Sequence, residues 1–271
     1  MSADAGRRRP GALAPRSILA PVLALLSLAA WALLWLWSAS PYASYVRHGN
    51  WLDLGPAAAL CRVIPGGEVV VPALLHGSAW LLMIVAMMLP TTLPLLEKFR
   101  RMTLGRSDAT LLFAWLVAGY VVVWLGFGIV AHAADRLLLD AAARTSLLAT
   151  HGWIAGAAVI AAAGIFQFTP LKYRCLEQCR TPMSFLMRHW HGPTPRRSAL
   201  ALGLHHGAFC VGCCWALMLL MFVVGTGSLG WMLAIGIAMA IEKNMPWGKR
   251  ISAPLGGALL VVAAVTVASN V

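Results

Sequence analysis

The chain has 271 residues, 60% of them hydrophobic and only 11% charged. A soluble domain carries roughly 25% charged residues, so this chain cannot cover a compact surface in water. An ordinary soluble enzyme, a nucleic-acid-binding domain and a disordered chain are excluded, and the net charge of +12 has to be explained by where it sits.

A spanning helix needs about 20 mostly apolar residues. Seven segments qualify: 17–39, 71–93, 109–132, 148–168, 204–225, 228–243 and 252–269. They predict an all-α, polytopic membrane bundle, with residues 17–271 as one membrane domain behind a basic tail, 1–16. The first segment is longer than the roughly 7–15 residues of a signal-peptide core. Trp31, Trp35 and Trp37 give it an interfacial anchor, so it reads as a retained span. The fifth and sixth spans meet across Gly225-Thr226-Gly227-Ser228 as a tight hairpin. Residues 40–70 carry Pro41, Pro56, Pro65 and Gly66-Gly67 and read as loop or interfacial turns. Residues 169–198 read as an amphipathic cytoplasmic stretch, helical between Pro170 and Pro182.

The basic residues sort by side. Of 21 Lys and Arg, 17 fall in the tail, in the loops after the second and fourth spans, and in the loop after the sixth, which begins at Lys243. Only Arg47, Arg62, Arg136 and Arg144 fall on the other side. Cytoplasmic loops carry the excess of Lys and Arg, so the N-terminus is expected inside and the C-terminus outside. The positive charge is then a topology signal. The expected partner is the lipid bilayer, and no nucleic acid.

Sulfur gathers on the inner side. Cys61 stands alone outside, whereas Cys175, Cys179, Cys210, Cys213 and Cys214 lie where thiols stay reduced. Cys175 and Cys179 are an i, i+4 pair and share a helical face. Cys210, Cys213 and Cys214 share another, and Met218 and Met221 continue it. Met87 and Met88 close the second span, Gln167 the fourth, His205-His206 open the fifth, and Glu242 ends the sixth. All of these fall at one depth near the inner interface. Charge at membrane depth is costly and points to function, although Glu242 has pairing with Lys243 or a headgroup as its plain alternative. Cys and Met also pack well in membrane helices without any ligand. His132 and His151, flanking an outer loop, read as structural. Thiolate and thioether donors favour Cu(I), with zinc as the alternative. Three inward spans end in related Pro/Thr/Lys sequences, a faint repeat that shared interface chemistry also explains.

The motifs Met87-Met88-Leu89-Pro90-Thr91-Thr92, Phe166-Gln167-Phe168-Thr169-Pro170-Leu171-Lys172 leading to Cys175 and Cys179, Cys210-x-Gly212-Cys213-Cys214-Trp215, and Glu242-Lys243 together resemble an uncharacterised bacterial family. Its members are described as metal-binding integral membrane proteins, sometimes labelled copper chaperones. The resemblance covers about residues 75–250. It implies a metal site of Cys175, Cys179, Cys210, Cys213, Cys214, Met87, Met88 and Glu242, in a multi-pass protein of the bacterial cytoplasmic (inner) membrane. One departure is Phe166 before Gln167, where Tyr is expected.

The residues and the resemblance lead to one expectation: an integral membrane metal-handling protein rather than an enzyme. It would bind copper, or zinc, through Cys175, Cys179, Cys210, Cys213, Cys214, Met87, Met88, His206, Met218 and Glu242, for trafficking to or from a donor or acceptor protein. Two alternatives stay open: a membrane thiol redox enzyme using Cys210-x-x-Cys213, and a transporter or assembly factor with structural Cys. No nucleotide-binding loop, catalytic triad or haem-attachment motif is present in the sequence.

Overall fold

A computed structural model describes residues 18–40, 67–144, 153–190, 194–224 and 228–270. The basic tail, residues 41–66 with Cys61, His151, and residues 225–227 of the expected hairpin lie outside the described residues. All regular elements among the described residues are helical: α1 (Leu19–Ser38), α2 (Gly67–Met83), α3 (Leu93–Met102), α4 (Ala109–Arg144), α5 (Trp153–Phe166), α6 (Pro170–Arg180), α7 (Pro182–His189), α8 (Pro195–Val224), α9 (Leu229–Asn244) and α10 (Ser252–Ala268).

Four helices are each long and apolar enough to cross a membrane: Leu19–Ser38, Ala109–Asp135, Pro195–Val223 and Gly248–Ala268. Two further pairs qualify only together. Leu74–Met88 bends by 42° into Pro90–Met102, and Trp153–Phe166 bends by 64° into Pro170–Arg180. The described residues thus hold four to six candidate spans. The upper count of six leaves out one of the seven expected segments, α9. Its 16 residues rise about 24 Å, less than the roughly 30 Å hydrocarbon core.

Both bends have local causes. In the first, a π-helical turn over Ile84–Met88 follows α2, and Leu89 N–H reaches back to Ile84 O at 2.9 Å. Such a turn re-aims the side chains it contains, and Pro90 then prevents an unbroken α-helix. In the second, Thr169 caps α6 by accepting from the Lys172 amide at 3.3 Å, and Pro170 occupies the first helical turn.

Helix α8 is the hub and packs against α4, α5, α6, α7 and α9. Its crossing with α4 is a backbone contact. A Cβ on Gly203 would run into the Leu116 carbonyl and lie 3.1 Å from the Tyr120 amide, and one on Gly119 would lie 2.9 Å from the Leu204 amide. Small residues permit such close approach between helices in lipid. The outer helices face the other way: Leu25 on α1 and Val265 on α10 are 67% and 60% exposed.

Candidate metal centre

The three cysteines of α8 sit just past its midpoint, on the face turned into the bundle, and Cys210, Cys213 and Cys214 are all buried. Helical periodicity places His206 one turn before Cys210 and Met218 one turn after Cys214, and both are buried too.

Three other elements close over this face. From α6, the Cys179 thiol faces those of Cys210 and Cys213. Cys175 lies against α8 at Gly212, where a Cβ would stand only 2.8 Å from its Sγ. From α4, the Tyr120 hydroxyl lies 3.1 Å from Cys210 Sγ and donates to Met88 O at 3.3 Å. From the end of α9 comes Lys243, 5% exposed. Its ammonium lies 3.0 Å from Cys210 Sγ, 3.5 Å from Thr91 Oγ1, and 3.8 Å from both Cys214 Sγ and Met88 Sδ.

The remaining expected residues fall around this core. Met87 is buried and turns toward α9, where a Cβ on Gly236 would lie 3.1 Å from its methyl. His206 stacks on Tyr120 with ring centroids 5.8 Å apart and meets Phe185 edge-on at 5.4 Å; its Nδ1 has no hydrogen-bond partner among the described residues. The Glu242 carboxylate is engaged by Lys172 at 2.5 Å and by Ser252 at 2.6 Å, and Gln167 accepts from the same Lys172 ammonium. Arg180 fastens this end of the bundle by donating to the Glu242 and Pro246 carbonyls at the C-terminus of α9, where a cation is favourable.

Two of the residues counted as loop charge are therefore interior: Lys172 is fully buried and Lys243 nearly so. Glu242 pairs with Lys172, not with its sequence neighbour Lys243. Sequence reasoning also missed Tyr120, although a lone phenol inside a long apolar helix is the signal that marks it, since a buried hydroxyl has to find a partner.

The donor set is soft: four thiols, a thioether and an imidazole nitrogen, a combination suited to Cu(I). Their present geometry is not that of a closed metal site. The Cys213 and Cys214 thiols turn back to donate to the Cys210 carbonyl at 3.1 and 2.8 Å. Among the described residues no group of three or more His, Cys, Asp or Glu stands in metal-holding geometry, and the five described cysteines are free thiols.

A family model described as copper chaperone matches residues 78–266, the stretch that holds every element of this centre. No curated protein and no solved structure matches the chain.

Proposed function

The chain belongs to the copper chaperone family, and on that footing we propose that it is an integral membrane protein that holds Cu(I) as cargo at the inner face of a bacterial cytoplasmic membrane. The single observation that carries this reading is the convergence of Cys210, Cys213 and Cys214, on one face of α8, with Cys179 and the Met88 thioether. Thiolates and thioethers together select Cu(I) over harder ions, with zinc the competing cargo.

In this reading Cys179, Cys210, Cys213 and Cys214 supply the thiolate donors, and Cys175 backs them from the same face of α6. Met88, Met87 and Met218 supply thioethers, and His206 offers its open Nδ1. Glu242 acts on the site through the Lys172 pair that anchors α9. Seven spans, an inner N-terminus and an outer C-terminus are supported by the 17-to-4 distribution of basic residues. Taking the two buried lysines out of that count leaves the asymmetry intact. Transfer to or from a donor or acceptor protein follows from the family's description.

The experiment is metal quantification on the full-length protein in detergent, after anaerobic loading with Cu(I) or Zn(II). The wild type is expected to retain copper, and a variant with Ser at Cys210, Cys213 and Cys214 to lose it. Equal metal content in the two proteins would overturn the proposal.

A further inference from the structure

Resting on the copper reading, we propose that the Lys243 ammonium is a built-in stand-in for the cargo: it fills the position that Cu(I) takes, and it leaves as Cu(I) enters. The pocket then exchanges one monovalent cation for another.

The geometry carries this. The ammonium touches Cys210 Sγ at 3.0 Å, and Cys214 Sγ and Met88 Sδ at 3.8 Å each. Three of its four polar contacts are thus soft sulfur donors, and the fourth is Thr91 Oγ1 at 3.5 Å. The acid beside it in sequence is already committed, because Glu242 is held by Lys172 and Ser252. Among the described residues Lys243 makes no ion pair with a carboxylate; its place is with the sulfurs. With an ammonium in the middle, the Cys213 and Cys214 thiols rest on the Cys210 carbonyl and do not converge on a central ion.

The electrostatics give the exchange a selectivity. A charge at membrane depth is tolerated only where it is compensated. At a fixed number of thiolates, replacing an ammonium by Cu(I) leaves the charge of the pocket unchanged, and each further thiol that ligates the ion gives its proton to solvent. Zn(II) in the same place adds a positive charge, and it also feels any residual repulsion from Lys243 twice over. A lysine suits the role because its charge is compact and rides on a flexible four-carbon stem, so it can withdraw without moving the helix.

Two measurements on the full-length protein in detergent test this. In the first, a chromophoric chelator competes for Cu(I), with Zn(II) titrated in parallel, on the wild type and on Lys243→Leu. The variant is expected to bind Cu(I) about tenfold tighter, about 1.4 kcal/mol, and to discriminate less against Zn(II). In the second, an amine-reactive reagent is read by mass spectrometry on the wild type alone, so it does not depend on the variant folding. Labelling of Lys243 is expected to rise several-fold on Cu(I) loading, while the buried Lys172 stays unlabelled. Stoichiometric copper uptake with Lys243 still sealed, or an unchanged affinity in a folded Lys243→Leu variant, would overturn the stand-in and leave the copper reading standing. Uptake no greater than in the triple Ser variant would remove both.

Discussion

The Lys172 ammonium and the Glu242 carboxylate meet at 2.5 Å with both side chains essentially sealed from solvent. The contact spans 70 positions of sequence and ties the start of α6 to the end of α9. Gln167 and Ser252 take up further hydrogen-bonding capacity of the pair. Removing one member of a buried pair leaves an uncompensated charge, at a cost of about 3–5 kcal/mol, whereas replacing both by apolar groups of similar volume is often nearly neutral. Lys172→Met and Glu242→Met should each lower thermal stability in detergent by that order. The double variant should recover most of the loss. Additive losses in the double variant would show that the two residues act independently.

Tyr120 contributes one hydroxyl to the sulfur cluster, placed between Cys210 Sγ and Met88 O. Its ring also supports His206 by stacking. Tyr120→Phe keeps the ring and removes the hydroxyl. The expected loss is about 0.5–1.5 kcal/mol, the net worth of a typical hydrogen bond. Copper stoichiometry should be unchanged, since the hydroxyl is not among the proposed donors. Thermal unfolding and metal analysis on the same preparation check both halves. Loss of copper from a folded Tyr120→Phe protein would place the phenol among the ligands.

The sulfur stripe was legible in the sequence because it depends only on helical periodicity: Cys210, Cys213, Cys214 and Met218 share a face wherever α8 goes. The Cys175 and Cys179 pair was legible for the same reason, since Thr169 and Pro170 announce the start of α6. Lys172 and Lys243 were not. Counting charges by loop treats any lysine at the end of an apolar run as aqueous, and only the tertiary contacts show that both point inward. Helix α9 is the borderline case: its apolar composition reads as a span, and at 16 residues it is the expected segment that falls outside the four to six candidates. The 64° bend after α5 was also out of reach, because Pro170 marks a helix start without giving a direction.

The α4–α8 crossing that presents Tyr120 to Cys210 depends on the absence of side chains. At Gly203 any Cβ would collide with the Leu116 carbonyl, which is backbone and cannot rotate away. Gly257, on α10, has nothing within 4 Å of a built Cβ. Gly203→Leu is expected to abolish the monodisperse folded protein on size-exclusion chromatography. Gly257→Ala should be neutral or stabilising by up to about 1 kcal/mol, because alanine favours the helix over glycine. Equal behaviour of the two variants would mean that helix propensity, not backbone approach, governs both sites.

Gly212 and Cys175 make a complementary pair across the α6–α8 contact. A methyl at Gly212 would sit 2.8 Å from Cys175 Sγ, closer than van der Waals packing allows. Either the thiol rotates or α6 shifts outward, and a shift would carry Cys179 away from Cys210 and Cys213. Overpacking of this kind typically costs about 1–3 kcal/mol. Gly212→Ala should therefore destabilise by that order and speed the reaction of Cys179 with a maleimide. Adding Cys175→Ala removes the obstructing sulfur, so the double variant should regain stability and restore the slow labelling of Cys179. If the double variant stayed as reactive as Gly212→Ala, the close approach of α6 to α8 would rest on contacts other than this one.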